Sequence, residues 1–343
     1  MLGIRLFVDF LLKRIDFFAF GSGYTIMFFY FMQIVFPVIL LSHYKVINNV
    51  QKVGFWLVAI LSVCMILSIL KIAKGEVEIT RDGRFDNGFG IFSIEFGHYA
   101  VSLILISVLL LKSKIKNVIK PILIITIFIG SLAAILAGSR GPIMALIVCL
   151  AIYAISNTGN ITKLLKIICI LAIISPFIVY WAEEITDFFS SMGIRSAERI
   201  YNAFLGEESI TNQTSGRDTL YKDAIYYFSE SPLLGYSYLI PGKIYCHNIL
   251  LEQYMALGII GGSIFLGINI IGLRSAWNIL RYHRGYALIP LLYIQYFIFG
   301  CFSTTIINLP QYWLFLLLTM NYSSTISAKK FIQPKHTLSQ VDL

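Results

Sequence analysis

The stretch that decides the fold is residues 119–156, IKPILIITIFIGSLAAILAGSRGPIMALIVCLAIYAIS. Two apolar runs, 119–138 and 142–156, are joined by Gly138-Ser139-Arg140-Gly141-Pro142, whose one charge is Arg140. A helix crossing a bilayer core needs roughly 20 apolar residues. Neither run alternates in the way a barrel strand does. Backbone polar groups in lipid must be satisfied within the segment, which leaves the helix. The pair therefore reads as two membrane-crossing helices with a tight turn between them. The second is short, so it tilts little or sits in thinned bilayer.

Seven further apolar runs lie at 22–41, 54–72, 94–111, 164–181, 248–273, 286–302 and 306–322. The composition agrees: of 343 residues, 57% are hydrophobic and 13% charged. Soluble chains run at about 45–50% apolar and 25% charged. A mean hydropathy of +0.78 points the same way. These values exclude a cytosolic enzyme, a disordered chain and a disulfide scaffold. The expected fold class is all-α, a polytopic membrane bundle of about nine to ten helices, with residues 1–343 as one membrane domain. No internal repeat of the transporter kind stands out. The five cysteines form no CxxC pair, so neither a metal site nor a disulfide framework is indicated. Leu2–Phe20 contains Asp9, Lys13, Arg14 and Asp16 and does not read as a cleavable signal.

The net charge of +9 could point to nucleic acid in a soluble protein. Here it divides by loop. Lys and Arg crowd one set of alternate loops, around 45–52, 112–120, 163–166, 274–284 and 329–335, against a single acid, Asp342. The opposite set is mixed or acidic: residues 182–247 hold five basic and nine acidic side chains. The first set is expected on the cytoplasmic side and the second outside, with residues 323–343 as a cytoplasmic tail. That places the N-terminus outside, against Arg5, Lys13 and Arg14. Arg5–Phe20 is amphipathic, and reads either as a helix lying in the interface, the preferred reading, or as a tenth crossing.

Residues 182–247 form the one long external loop. Within it Thr219–Ser229 reads as an amphipathic helix, with Leu220, Ala224, Tyr227 and Phe228 at helical spacing. Ser215 and Gly216 stand at its start and Ser231-Pro232 with Gly235 at its end. A second short helix is expected near 196–205. A long loop beside a bundle suits a site at the outer membrane face.

Three external positions carry chemistry. Arg140 lies in the 138–142 turn, Arg217 in Ser215-Gly216-Arg217-Asp218, and His247 in Cys246-His247-Asn248. Arginine supplies a permanent charge and a donor fork that fits phosphate oxygens. Histidine exchanges protons near neutral pH. Each also has an ordinary reading. Arg140 could snorkel to lipid phosphate, Arg217 could pair with Asp218 or Asp223, and His247 could cap a helix.

The surrounding residues resemble the O-antigen ligase/polymerase superfamily, the Wzy-type polysaccharide polymerases and O-antigen ligases. The pattern Ser215-Gly216-Arg217-Asp218, Ser231-Pro232-Leu233-Leu234-Gly235, His247-Asn248-Ile249-Leu250-Leu251-Glu252, Leu257-Gly258-Ile259-Ile260-Gly261 is similar to that family's arginine, Pro-Leu-Leu-Gly, His-Asn and Gly-x-x-Gly series. Ser139-Arg140-Gly141 and Gly83-Arg84 fit more weakly, and Ser93-Ile94-Glu95 departs from the family's Asn-Pro-Asn. The resemblance implies a GT-C-like glycosyltransferase of the bacterial cytoplasmic membrane. It implies action on undecaprenyl-diphosphate-linked glycans at the external face, with no cofactor and no metal. Arg140 and Arg217 would hold the donor diphosphate, and His247 would be the general base of an inverting transfer. Flippase and chain-length regulator proteins of the same pathway are the implied partners, beside the bilayer itself; no nucleic acid is.

Four further residues are expected at substrate: Arg84 on phosphate or glycan, Asn248, Glu252, and Tyr221 as a sugar-stacking ring. Glu252 lies just inside an apolar run, where a carboxylate is expensive, and is expected to pair with an arginine or line the substrate cavity. Glu95 and His98 share a helical face and are expected to pair with Arg81 or Arg84 or to cap the third span. The leading function is a polymerase joining lipid-linked repeat units into capsule, exopolysaccharide or O-antigen. The alternatives are an O-antigen ligase using a lipid A–core acceptor and, from another class, a lipid-linked oligosaccharide flippase. A flippase would place polar residues along the midplane, where the sequence has only Gln33, Asn269 and Gln295.

Overall fold

Apolar runs of bilayer length fold as helices in the computed structural model. It describes residues 1–12, 50–77, 92–113, 115–157, 217–241 and 245–332, with isolated positions between them. Among these residues there is no strand, and nine α-helices follow in order. They are α1 Leu2–Leu11, α2 Val50–Ala73, α3 Ser93–Leu111, α4 Ile119–Leu136, α5 Arg140–Asn157, α6 Arg217–Glu230, α7 Ile249–Tyr282, α8 Leu288–Phe302 and α9 Pro310–Ile332. Five of them, α2, α3, α4, α5 and α7, are long and apolar enough to cross a membrane, and α8 is a shorter apolar helix. The all-α polytopic membrane fold read in the sequence is therefore the fold of the chain. The runs 22–41, apart from isolated positions and a short π-helical turn at Phe31–Val35, and 164–181, the helix expected near 196–205, and Lys13, Arg14 and Arg84 lie outside the described residues. The last helix continues to Ile332, into the stretch expected to be a tail.

Helix α3 is the inner one: 67% of its apolar window is buried, against 28% for α2 and 22% for α5. It packs on α2, α4, α5 and α8, and α8 in turn packs on α5, α7 and α9. Polar side chains are consumed as interhelical bonds, the usual glue where lipid offers no hydrophobic drive. Ser107 on α3 meets Thr126 on α4 at 2.8 Å. Gln295 donates to the His98 carbonyl at 2.7 Å, and Asn269 accepts from Tyr293 at 3.2 Å and Tyr312 at 2.8 Å. Of the three midplane candidates for a transport path, Gln295 and Asn269 thus serve the packing. The outward faces carry Trp56, Phe128, Ile147 and Ile270, exposed as lipid-facing side chains are.

The helix ends sort to two faces. On one, called here the site face, α3, α5, α7 and α9 begin and α4 and α8 end. Lys112, Lys116, Lys120, Arg281 and Arg284 gather at the other, where Arg284 also bonds the Asn157 carbonyl at 3.3 Å.

Two features of the site face go beyond the sequence reading. The apolar run from 248 is one 34-residue helix with a break at Gly258, where φ is 65° and ψ −168°. That backbone region is accessible essentially to glycine alone. Into the break docks the Pro232–Gly235 turn. Ile259 N donates to Pro232 O at 2.7 Å and Tyr236 N to Met255 O at 2.8 Å. A Cβ on Gly235 would fall 2.3 Å from the Ala256 carbonyl, and one on Gly258 would fall 2.3 Å from the Leu233 oxygen. The Pro-Leu-Leu-Gly and Leu-Gly elements are thus two halves of one backbone contact. It lies about 13 Å along α7 from the helix start, and Leu233 and Leu234 point outward there, 64% and 72% exposed.

The second feature is α1. Arg5 and Asp9 pair at 3.0 Å with Asp9 fully buried. Arg5 donates to the Gly235 carbonyl at 3.1 Å, and Tyr238 N donates to Asp9 at 2.7 Å. Arg5 is therefore an internal partner and no orientation signal, which removes it from the conflict over the N-terminus. The helix lies against the 235–238 turn at the site face.

Candidate functional site

The site is assembled where α8 ends. Ser303-Thr304-Thr305 interrupts the apolar sequence, and the last carbonyls of α8 project from it. The amphipathic helix α6 packs Leu220, Ala224 and Tyr227 around a small core with Ile240, Cys246 and Met255. That packing sets Arg217, the first residue of α6, beside α8, where it donates to the Phe302 carbonyl. His247 reaches the next carbonyl: its Nδ1 lies 3.2 Å from Ser303 O. A carbonyl only accepts, so Nδ1 carries the ring proton and Nε2 keeps its lone pair. The ring packs on Tyr245 with centroids 4.4 Å apart.

The backbone at His247 is held at φ 58°, the only positive φ of a non-glycine residue among those described. Histidine tolerates this region better than most, but it is sparsely populated, and such outliers cluster at functional sites. Next to it, Asn248 accepts from Leu250 N and Leu251 N, both at 3.0 Å, and so caps α7. Asn248 thus fixes where the histidine leaves the helix.

Arg140 opens α5 with Pro142 in the first turn, a position where a missing N–H costs nothing. Gly141 lies against Ser303: a Cβ there would stand 3.5 Å from its Oγ. Arg140 and Arg217 are near enough for each charge to act on the other. The three sequence-read residues thus converge around Phe302 and Ser303, and the α5 N-terminus adds its own positive potential.

Burial pushes the His247 ring below its ordinary range, and Arg217 adds to this while the Ser303 carbonyl opposes it. The imidazole is therefore neutral at physiological pH. Burial also lowers Arg217 somewhat, with Arg140 in the same direction, yet a guanidinium stays charged under all physiological conditions. Tyr221, one helical turn after Arg217, and Tyr245, pushed up to about 12 by burial, remain protonated hydroxyls. Such a site can hold an oxygen-rich anion and take up one proton.

Glu252 differs from its expected place. It is fully buried and accepts from Tyr238 Oη at 2.7 Å and Ile306 N at 3.1 Å, with no arginine among these partners. The Tyr238 hydroxyl also meets Thr305. Glu252 lies beneath the site and ties the 238 turn to the 303–309 segment. Arg84 lies outside the described residues. No group of three or more His, Cys, Asp and Glu side chains forms among the described residues.

Sequence reasoning missed the residues that organise the site: Ser303 and Phe302, which act through backbone carbonyls, and the Arg5–Asp9 pair. The only signal for the first was a polar triplet between two apolar runs. For the second it was opposite charges four apart in an otherwise apolar decapeptide.

Residues 124–266 match the model of the O-antigen ligase family. No curated protein and no solved structure matches the chain. The matched stretch contains Arg140, Arg217 and His247, and over it this multi-pass helical membrane protein is similar to the O-antigen ligase family.

Proposed function

We propose that this protein is a polymerase that joins undecaprenyl-diphosphate-linked repeat units into a surface polysaccharide at the external face of the cytoplasmic membrane. The observation that carries the reading is the seating of Arg217 and His247 on successive carbonyls of Phe302 and Ser303, with Arg140 beside them. Arg140, the start of α5 and Arg217 bind the donor diphosphate and stabilise the charge that grows on it. His247 Nε2 takes the proton of an acceptor hydroxyl. The hydroxyl oxygen bonds to the anomeric carbon as the carbon–oxygen bond to the diphosphate breaks. The electron pair departs on the lipid diphosphate, and the anomeric configuration inverts. The leaving group is already a stabilised anion, so positioning and charge stabilisation suffice. The distribution of basic residues supports the external placement.

The second reading is an O-antigen ligase, favoured by the family whose model matches. It uses the same donor chemistry with a lipid A–core sugar as acceptor. Reconstitution in vesicles separates the two. With lipid-linked repeat units alone, a polymerase yields a ladder of lengthening glycans. A ligase yields product only when lipid A–core is added. No ladder under the first condition refutes the polymerase, and wild-type turnover by Arg217→Ala and His247→Ala at equal protein levels refutes the mechanism.

A further inference from the structure

A cavity of about 210 Å³ opens near the site face between α3, α8 and α9. Its lining includes Glu95, His98, Tyr99, Phe299, Asn308 and Gln311, none of which serves the transfer chemistry above. His98 is 1% exposed, and neither of its ring nitrogens has a hydrogen-bond partner among the described residues. Its ring stacks on Phe299 with centroids 4.0 Å apart. A buried polar group left unpaired costs on the order of 1–3 kcal/mol, so such groups call for an explanation. Here the ring borders a cavity large enough to hold the missing partner.

The remaining lining narrows the ligand. Gln311 donates to the Tyr99 hydroxyl at 2.8 Å, which orients that hydroxyl to donate in turn. Glu95 supplies carboxylate acceptors, and Asn308 and Gln311 supply amide oxygens. Among the described residues no cation is in the lining, so a diphosphate would meet Glu95 unbalanced by them. The polar groups equally disfavour a lipid tail. Paired acceptors and donors beside an aromatic face suit the adjacent hydroxyls and the apolar face of a sugar ring. The volume is below the roughly 300–1,000 Å³ of drug-sized sites, which fits a single ring. The cavity also adjoins the reacting centre: a Cβ on Gly141 would lie 3.9 Å from His98 Nε2 and 3.5 Å from Ser303 Oγ, and the Ser303 carbonyl holds His247.

We propose that this cavity is a sugar subsite that holds one uncharged pyranose ring of the glycan through Glu95, His98 and Gln311. The assignment of that ring to the glycan rests on the transfer reading of the neighbouring site. The test uses the full-length protein in detergent micelles and saturation-transfer NMR with methyl glycosides of neutral hexoses and N-acetylhexosamines. At least one probe binds the wild type, and Glu95→Gln and His98→Phe weaken it roughly tenfold each, the worth of one ligand hydrogen bond. His98→Phe melts at or above the wild-type temperature, because it removes an unpaired buried group; a structural histidine would lower it. In the reconstituted assay the same variants raise KM by more than they lower kcat. Titrating acceptor and donor separately assigns the ring to one or the other. Absence of any probe signal that depends on Glu95 and His98 overturns the subsite. Retained, Glu95-dependent sugar binding together with fully active Arg217→Ala and His247→Ala leaves the subsite standing and refutes the transfer reading instead.

Discussion

Replacing Gly258 by alanine removes the break in α7 that receives the Pro232–Gly235 turn. Two costs follow from the geometry. The backbone at φ 65°, ψ −168° is glycine territory, and forcing another residue to keep it costs about 1–3 kcal/mol. The added Cβ would stand 2.3 Å from Leu233 O and 2.7 Å from Gly235 N. These are backbone atoms and cannot rotate away, so the turn must withdraw. Withdrawal strains the Ile259–Pro232 and Tyr236–Met255 bonds of 2.7 and 2.8 Å, worth about 1 kcal/mol each. The total of roughly 3–5 kcal/mol shifts the docking equilibrium by about a hundredfold to a few thousandfold at 1.4 kcal/mol per decade. Because the turn leads into Tyr238 and His247, transfer activity falls by at least a similar hundredfold. Limited proteolysis should cut the 231–247 segment faster while the membrane helices stay assembled. Gly267→Ala on the same helix is the control: nothing lies within 4 Å of its Cβ, and alanine there is neutral or stabilising by about 0.5–1 kcal/mol. Wild-type turnover and proteolysis by Gly258→Ala would refute the docking account.

Further outcomes test other parts of the structure. Arg5→Ala leaves the buried Asp9 carboxylate without its cation and destabilises the 235–238 turn by about 3–5 kcal/mol; the double variant Arg5→Ala/Asp9→Asn recovers most of the melting temperature in detergent. Tyr238→Phe deprives Glu252 and Thr305 of one hydroxyl and costs about 1–3 kcal/mol of thermal stability. Since burial holds His247 below its ordinary value near 6.5, the base stays neutral from alkaline pH down through 6.5. Transfer is flat over that range and falls only on the acid side. A rate that halves at or above pH 6.5 contradicts the environment assigned to the ring. Arg217→Lys keeps a charge but loses the fork that spans Phe302 O and an anion together; it retains less than a tenth of the wild-type kcat.

The arrangement links these predictions. The Pro232–Gly235 turn is tied to α7 backbone to backbone, α6 is seated by its small apolar core and the Arg217–Phe302 bond, and α1 is bonded to the 235–238 turn. Substitutions in this layer therefore act on the site by moving whole segments. Substitutions on the lipid-facing sides of α2 or α4 leave it in place.

Much of the architecture was legible in the sequence because bilayer crossing is an additive, local property. Eighteen or so apolar residues in a row must be helical wherever they end up, so α2 to α5 and α8 fall near their expected bounds, while α7 and α9 run on past theirs to Tyr282 and Ile332. The amphipathic stripe Leu220, Ala224 and Tyr227 likewise announced α6 and its buried face. Arg140, Arg217 and His247 could be picked out by chemistry and resemblance, since charge and proton exchange are properties of single side chains. What only the tertiary structure decided is which groups meet. The carbonyls of Phe302 and Ser303 are chemically identical to every other carbonyl until the end of α8 exposes them to Arg217 and His247. Glu252 became a buried brace, and Arg5 a tie to the Gly235 carbonyl, because their neighbours come from residues 54 and 230 positions away in the chain. The break at Gly258 also depends on a partner, since glycine within an apolar run shows its purpose only when another backbone fills the space it leaves. Local periodicity encodes what each segment is, and the long-range packing of segments decides what their ends do.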